Sequence, residues 1–363
     1  MKRILVITTR QIGDVLLTTP LIRAARQRWP QARIDVLGFK GTLGMLRVNP
    51  HVNTLIETPA RLGLKGGWQL LRQLWRSYDI AFVAQSSDRA HLMGWVAAPL
   101  RSGIVPLQSS SSWWKKRLLD HVVESPGDRS DIHVTSEKLA LMAPWTKDAV
   151  SVPEVVPPSP TPLPALLAEQ LQPGAVVVHA PSMWTYKQWP LAHFSVLVQA
   201  LLRQGRQVVL TGSASARDQA CIAPLRGLGM APQLLDVSGQ LDFGQLSTLF
   251  GRAALYIGPD TSISHLAAAV GLPVIAIFGP TNPQRWAPWP ARATTQALFA
   301  RSALVQQAGN VTLLQGQQAC VPCSHAGCED HVDSRSDCLT NITPERVLAQ
   351  AARLLNAPDL KPA

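Results

Sequence analysis

The sequence predicts an α/β protein built from two Rossmann-like, doubly wound domains. Three observations lead to this fold class. The chain has 363 residues, which is too long for one ordinary core and suits two domains. Short segments that are apolar on both faces alternate with helical patterns, as in parallel sheets covered by helices. A Pro-rich stretch at 152–165 then divides the chain into two halves of similar plan.

Each half contains five predicted strands. In the first half they are residues 3–8, 34–38, 53–57, 80–84 and 102–106. In the second half they are residues 175–182, 207–213, 234–239, 254–260 and 273–280. We therefore place an N-terminal domain at 1–152, a linker at 153–165, a C-terminal domain at 166–343 and a final helix in 344–363. Open parallel sheets bind ligands beyond the carboxyl ends of their strands, so the site should lie in the loops that follow the strands.

The excess positive charge is confined to the first third of the chain. Residues 1–130 hold 19 Lys and Arg against 8 Asp and Glu, whereas residues 131–363 hold 15 against 15. This asymmetry favours an anionic partner for the N-terminal domain, such as nucleic acid, phospholipid or a phosphorylated substrate, over a general solubility charge. Nucleic acid is disfavoured, because the sequence has no zinc-finger spacing, ribonucleoprotein motif or helix-turn-helix pattern.

The sequence has no membrane-spanning or secretory signal. No apolar run approaches the roughly 20 residues that cross a bilayer. The N-terminus, MKRILVITTR, lacks the apolar centre of a signal peptide. We therefore expect a cytoplasmic protein whose cysteines are mostly reduced.

Two loops that follow predicted strands carry a single charged candidate each. After the first strand, Gly13 permits a tight turn and Asp14 lies near the start of a helix, either as a helix cap or as a reactive carboxylate. No G-x-G-x-x-G fingerprint is present there, which argues against a dinucleotide enzyme. In the second half, Lys187 lies among Trp and Tyr just before Pro190, where a helix is predicted to begin. It is either a surface lysine or a cation that meets a bound anion.

The segment GPDTSISHLAAAVGLP, at 258–273, concentrates polar groups between two apolar strands. Asp260 ends a strand, and hydroxyl residues then open a helix that Gly271 closes. Free amides and the helix dipole favour an anion such as phosphate at this end of the helix. A carboxylate repels phosphate, so Asp260 suits neutral sugar hydroxyls better. The group predicts a site for a sugar joined to a phosphate, with ordinary helix capping as the alternative.

Three segments together resemble a known family. They are RQIGDVLLTTP at 10–20, WTYKQWP at 184–190 and the segment at 258–273 with the FGPT that follows it. In order and content they are similar to glycosyltransferase family 9, the ADP-heptose:lipopolysaccharide heptosyltransferases, and within it to the II and III types. The resemblance implies a GT-B fold, with an N-terminal acceptor domain and a C-terminal nucleotide-sugar domain facing a central cleft. It also implies inverting transfer without a catalytic metal or cofactor, and a final helix that packs back on the N-terminal domain.

The resemblance also implies residue roles. Asp14 would be the general base that takes the proton of the acceptor hydroxyl. Lys187 would bind the donor diphosphate and offset charge on the leaving ADP, while Asp260 would hold heptose hydroxyls. The further donor-binding residues predicted here are Thr185, Ser213, Thr261, Ser262 and His265.

The partners that the resemblance implies are ADP-heptose and the phosphorylated inner core of lipopolysaccharide, whose lipid lies in the cytoplasmic leaflet. Two segments of the basic domain, 61–76 and 109–119, mix Trp and Leu with Lys and Arg, as expected for peripheral contact with the inner membrane. An ordinary helix and a solvated loop are the alternative interpretation. The predicted acceptor and membrane-surface residues are Arg10, Lys65, Arg72, Arg76, Lys115, Lys116 and Arg117.

Four of the five cysteines lie close together near the C-terminus, at Cys320, Cys323, Cys328 and Cys338. In a cytosolic protein this cluster predicts a structural zinc or iron site, free thiols or, less readily, disulfides. The second pair lacks the C-x2-C spacing of strong zinc motifs. None of the three interpretations makes these cysteines catalytic.

The sequence is also compatible with other functions. The chain could be a family-9 transferase that uses another nucleotide-sugar or a protein acceptor. It could also be a non-catalytic protein that binds a nucleotide-sugar, with Asp14 as a helix cap. A non-catalytic protein would bind the nucleotide-sugar without transferring the sugar, so a transfer assay distinguishes it from an enzyme.

Overall fold

The computed structural model describes residues 1–110, 112–146 and 152–356. The predicted final helix therefore lies partly outside the described residues, as do one residue of the segment 109–119 and a few residues before the linker. The chain divides into two compact units between Ser159 and Pro160, within the predicted linker, and the short stretch Thr294–Gln296 belongs to the first unit.

The first unit contains one sheet of six strands in the order β3-β2-β1-β4-β5-β6, and all neighbouring strands run parallel. The strands are β1 (Arg3–Ile7), β2 (Arg33–Phe39), β3 (Thr54–Thr58), β4 (Ile80–Val83), β5 (Leu100–Pro106) and β6 (His121–Ser125). The helices are α1 (Ile12–Leu16), α2 (Thr19–Arg28), α3 (Leu64–Leu74), α4 (Asp88–Ala97), α5 (Ser112–Arg117) and α6 (Val134–Leu139). Short 3-10 helices lie at Leu43–Leu46, Gly127–Arg129 and Ala140–Trp145.

The second unit contains a sheet of seven strands in the order β12-β13-β11-β10-β7-β8-β9. The strands are β7 (Val176–His179), β8 (Val208–Thr211), β9 (Leu234–Asp236), β10 (Leu255–Pro259), β11 (Val274–Phe278), β12 (Val305–Ala308) and β13 (Val311–Gln315). The helices are α7 (Ala165–Gln170), α8 (Leu191–Arg203), α9 (Ala216–Arg226), α10 (Phe243–Arg252), α11 (Ser262–Val270), α12 (Pro283–Trp286), α13 (Asp337–Thr340) and α14 (Pro344–Asn356). A 3-10 helix lies at Thr185–Lys187.

Both sheets are buried on two faces, which explains why their strands are apolar throughout. In β1, Ile4 and Val6 belong to one core cluster, whereas Leu5 and Ile7 belong to another. Successive side chains of a strand point to opposite faces, so helices must cover both sides of this sheet. The predicted α/β class with parallel sheets is confirmed.

Three strands, β6, β12 and β13, were absent from the prediction, and all lie at or next to a sheet edge. β6 is only half-buried and contains His121, Glu124 and Ser125. β12 is partly exposed and pairs antiparallel with β13, in contrast to the rest of its sheet. The edge strands β6 and β12 need no continuous apolar run, so the pattern that identifies central strands misses them. The strand β13 is fully buried and paired on both sides, but Thr312 and Gln315 interrupt its apolar run.

The last helix differs from the expectation that it packs on the N-terminal domain. Three side chains of α14, Val347, Ala351 and Leu354, lie in the core of the second unit. The helix packs on α8 in that unit. Their spacing of four and three residues forms one apolar stripe, and the second unit provides the surface that buries it.

Gly271 ends α11 in the left-handed conformation, with a φ of 95°. We predict that Gly271→Ala lowers the free energy of unfolding by about 1 kcal/mol, because a Cβ is strained at this φ. Urea unfolding of the pure protein measures the change.

The matched control for this prediction is Gly251→Ala. Gly251 lies within α10, and nothing surrounds the position of its missing Cβ. There alanine should raise the free energy of unfolding by about 0.5–1 kcal/mol. Equal effects of the two substitutions would contradict the backbone argument.

Candidate active site

The sheet of the second unit brings Lys187 and Asp260 together. Lys187 lies in the loop after β7 and Asp260 directly after β10, and these two strands are parallel neighbours. Lys187 Nζ donates to Asp260 Oδ2 at 2.6 Å. The carboxylate is buried, while the Lys187 side chain retains 21% of its exposure. Thus two charged residues that are far apart in the chain form one ion pair at the carboxyl edge of the sheet.

The N-terminus of α11 adjoins this pair. Thr261 is the residue before the helix, has an extended backbone, and makes no side-chain cap, and Ser262 is the first helical residue. The first turn of an α-helix has amides without intrahelical acceptors, and they lie at the positive end of the dipole. His265 is buried one turn further along. The arrangement can therefore offer N–H donors and a hydroxyl to an anion beside Lys187.

A buried hydroxyl network fixes the backbone before α11. Ser264 Oγ donates to the carbonyl oxygen of Pro259 and lies 3.1 Å from the hydroxyl of Tyr256. Burial raises the pKa of Tyr256, so the phenol remains protonated. Ser264 therefore has a structural role, while Asp260 and Thr261 begin the turn that leads into the helix.

The loop that carries Lys187 is held on both sides. Trp189 is fully buried, and its indole N–H donates to the carbonyl oxygen of Ile342 at 2.8 Å. The amide of Thr185 donates to the carbonyl oxygen of Val332 at 3.2 Å, and Ser336 Oγ donates to that of Tyr186 at 2.7 Å. The segment around the C-terminal cysteines thus anchors the loop before Lys187. Of the aromatic residues near Lys187, Trp189 lies in the core, whereas Trp184 and Tyr186 are only partly buried in the loop.

Ser213, a predicted donor-binding residue, is exposed in the loop after β8. Its hydroxyl donates to Ser215 Oγ at 3.0 Å, and Ser215 caps α9. The amide of Ser213 donates to Asp218 Oδ2 at 2.7 Å. Ser213 therefore belongs to a hydrogen-bonded turn at the same edge of the sheet as Lys187.

In the first unit, Asp14 lies in the short helix α1 after β1. The N-cap residue of this helix is Gln11, and Asp14 lies within its first turn, so the interpretation of Asp14 as the helix cap is wrong. Asp14 is 9% exposed, and its Oδ2 lies 3.6 Å from Arg10 Nε. Its Oδ1 is buried and has no hydrogen-bond partner among the described residues. No described protein donor occupies this oxygen, so the carboxylate keeps the capacity to accept a proton.

Lys138, on α6, was not recognised in the sequence. Its Nζ is buried, donates to the backbone carbonyl oxygen of Asp14 at 2.6 Å and to Thr18 Oγ1 at 2.9 Å, and lies 4.0 Å from Asp14 Oδ1. Thr18 Oγ1 in turn donates to the same carbonyl at 2.7 Å. Lys138 thus fixes the backbone at Asp14 and supplies a positive charge near its carboxylate. A lysine in the segment VTSEKL has the pattern of an ordinary helix surface, so no local signal distinguishes it.

One of the seven residues of the predicted basic surface lies in the interior. Lys115 is buried, donates to the carbonyl oxygen of Ser86 at 2.8 Å, and lies 2.6 Å from Asp88 Oδ1. This lysine is therefore a structural ion-pair residue rather than part of a free surface. The other six residues are exposed, but three of them have protein partners. Lys116 pairs with Glu124, Arg10 pairs with Asp14, and Arg117 lies over the ring of Trp113.

The four C-terminal cysteines are free thiols in the structure. Across residues 1–110, 112–146 and 152–356, no three or more His, Cys, Asp or Glu side chains are arranged to hold a metal ion. Cys338 packs in the core of the second unit, and burial, followed by the three neighbouring cysteines, raises the pKa of its thiol to about 12. No described group of side chains therefore corresponds to the predicted zinc or iron site, which stays a prediction.

Two doubly wound units, each with its candidate residues in loops after the strands, correspond to the GT-B architecture of glycosyltransferases. A family model, described as glycosyltransferase family 9 (heptosyltransferase), matches residues 68–308. The chain belongs to this family and is a glycosyltransferase.

Relatives and solved structures agree with the family. The chain is 31% identical to lipopolysaccharide heptosyltransferase 3 of Escherichia coli K12 over 300 residues, which cover 77% of this chain and 83% of the relative. The structure of E. coli ADP-heptose lipopolysaccharide heptosyltransferase II matches with a TM-score of 0.70, at 22% identity and 98% coverage of both chains. E. coli heptosyltransferase WaaC with ADP also matches with a TM-score of 0.70, at 17% identity, covering 97% of this chain and 99% of that one.

The described part of the chain has no helix that combines the length and apolarity needed to span a bilayer.

His179 ends β7 at the candidate site, and its burial makes stability depend on pH. Burial lowers its pKa to about 4, although Asp218 and Thr211 act in the opposite direction. The ring is therefore neutral in the folded state, while the unfolded chain binds a proton below about pH 6.5. We predict that this group costs up to about 3 kcal/mol of the free energy of unfolding as the pH falls from 6.5 to 4.

The measurement compares urea unfolding of the wild type and His179→Gln at several pH values. The variant should lose less stability than the wild type between pH 6.5 and 4. Some slope should remain, because burial also lowers the pKa values of His91 and His51. Identical slopes in the two proteins would show that His179 is not buried as a neutral ring.

Proposed function

We propose that this glycosyltransferase moves heptose from ADP-heptose to the inner core of lipopolysaccharide, with inversion at the anomeric carbon. The observation that carries the proposal is the Lys187–Asp260 pair beside the start of α11. A cation next to helix amides suits a diphosphate, and a carboxylate at the same place suits sugar hydroxyls. Relatives named as lipopolysaccharide heptosyltransferases support the substrate class.

In this proposal the second unit binds the donor. The ammonium of Lys187 and the first amides of α11 bind the diphosphate, with Thr261, Ser262 and His265 at the same helix end. Asp260 Oδ2 accepts from Lys187, and its other oxygen accepts from heptose hydroxyls. As the bond between the anomeric carbon and the diphosphate breaks, ADP takes the bonding electrons. Lys187 offsets the charge that grows on it.

Asp14, in the first unit, serves as the general base. Its carboxylate takes the proton of the acceptor hydroxyl while the hydroxyl oxygen forms the new bond to the anomeric carbon. Arg10 and Lys138 place positive charge beside the carboxylate, and Lys138 also fixes its backbone. No metal or other cofactor is needed for these steps. Thr185 and Ser213 complete the loops around the donor.

The acceptor suits the charge of the first unit. The inner core carries phosphate and acidic sugars, and all the net positive charge lies in residues 1–130. Its lipid is in the membrane, so the enzyme would work from the cytoplasm at the inner-membrane surface.

The direct test supplies ADP-heptose and lipopolysaccharide cores truncated at successive sugars to the purified enzyme. We expect one core to gain a single heptose, detected by mass spectrometry, and the rate to be unchanged by EDTA. If no core gains heptose while the enzyme binds ADP-heptose, the proposed acceptor is wrong. If the donor is not bound, the proposed donor is wrong as well.

We predict that Asp14→Asn slows this transfer by at least ~100-fold, since a general base typically contributes 10²–10⁴-fold. Donor affinity, measured by calorimetry, should stay within about twofold of the wild type because Asp14 does not contact the donor in this proposal. The matched control is Asp128→Asn, an exposed carboxylate of the same unit. Transfer by Asp14→Asn at the wild-type rate would exclude the role of general base.

A further inference from the structure

Helix α3 exposes an apolar stripe that the fold of its unit does not cover. Its inner face is buried through Leu70 and Leu74. Its outer face carries Leu64, Trp68 and Leu71, which are 96%, 64% and 41% exposed, and Trp75 follows at 62%. The spacing of four, three and four residues places all four on one side of the helix. An isolated exposed apolar side chain is common, but a row of four with two indoles marks an interaction surface.

The charge around the stripe selects the partner. Segment 61–76 contains Arg61, Lys65, Arg72 and Arg76 and no acidic residue. All four are exposed. On the helical wheel Lys65 and Arg72 lie on the solvent side of the stripe, away from Leu70 and Leu74, and Arg76 follows them beyond the helix end. Basic side chains flanking Trp and Leu on one helix face fit an anionic lipid surface, where the rings enter the headgroup region and the cations meet lipid phosphates.

The neighbouring helix α4 also exposes apolar side chains. α4 packs against α3 and exposes Leu92 and Trp95, which are 50% and 43% exposed. Segment 109–119 is a weaker candidate, because Lys115 is buried, Lys116 pairs with Glu124, and Arg117 lies over the ring of Trp113. The structure therefore separates two segments that are similar in sequence and leaves α3 as the free surface.

We propose that the outer face of α3, formed by Leu64, Trp68, Leu71 and Trp75 with their flanking basic residues, docks the first unit on an anionic membrane. Docking would bring the enzyme to the membrane that contains its proposed lipid-linked acceptor. This role of the docking surface rests on the proposed function, whereas membrane binding itself depends only on α3.

Vesicle co-sedimentation of the purified full chain tests the proposal. Vesicles of phosphatidylcholine alone are compared with vesicles that also contain roughly one third phosphatidylglycerol. We expect the wild type to sediment with the anionic vesicles and to be released by high salt in part, since the apolar contacts remain. A wild type that ignores anionic vesicles overturns the proposal.

Two paired variants separate the apolar and charged contributions. Trp68→Ser with Trp75→Ser, and Arg72→Gln with Arg76→Gln, should each weaken vesicle binding by about tenfold or more. The matched control is Leu166→Ser with Met230→Ser, which removes exposed apolar side chains from the second unit, at 66% and 83% exposure. The control should bind within about twofold of the wild type, and thermal melts of all variants check that the fold is retained. Wild-type binding by the α3 variants, or an equal loss in the control, overturns the proposal.

Two further measurements separate membrane docking from self-association of the chain and from a loss of catalysis. If light scattering shows that the Trp68 and Trp75 variant changes a dimer into a monomer while vesicle binding is kept, the surface joins two copies of this chain and the proposal fails. The same variant should transfer heptose to a soluble, deacylated core at the wild-type rate. Absence of transfer in both proteins would count against the proposed function alone, because vesicle binding is measured separately.

Discussion

The ion pair between Lys187 and Asp260 is the interaction on which the donor half of the site depends. It joins the loops after β7 and β10, and these loops meet only because the two strands are parallel neighbours. The buried carboxylate of Asp260 holds the lysine in place before any ligand arrives. Hydrogen bonds from residues near the C-terminal cysteines hold the loop from the other side. The cysteine segment therefore supports the site through hydrogen bonds made by its backbone and by Ser336.

The strands could be predicted from the sequence wherever helices bury both faces of the sheet. Central strands such as β1 and β7 are apolar at nearly every position because helices cover both faces of the sheet. The edge strands β6 and β12 lack this pattern and were missed. The partner surface of α14 was also assigned to the wrong unit, since an apolar stripe shows that a helix is buried but not against which surface.

The candidate site could be predicted only where a motif joins chemistry to a loop after a strand. Asp14, Lys187 and Asp260 meet that condition. Lys138 does not, because its contact with Asp14 crosses 124 residues of sequence and depends on how α6 packs. For Lys115 the prediction was wrong for the opposite reason. Its basic, Trp-rich surroundings in the sequence suggested a free surface, but Lys115 is buried and forms an ion pair with Asp88 from another helix. Charge patterns along a sequence do not reveal the partner that tertiary structure provides.

The most direct test of this account is calorimetric binding of ADP and ADP-heptose to the wild type, Lys187→Met and Asp260→Asn. If Lys187 binds the diphosphate, its loss should weaken both ligands by about tenfold or more, as expected for a charged hydrogen bond. If Asp260 also binds the sugar, Asp260→Asn should weaken ADP-heptose more than ADP. Wild-type affinity of Lys187→Met for both ligands would contradict the account, because the ion pair would then have no part in donor binding.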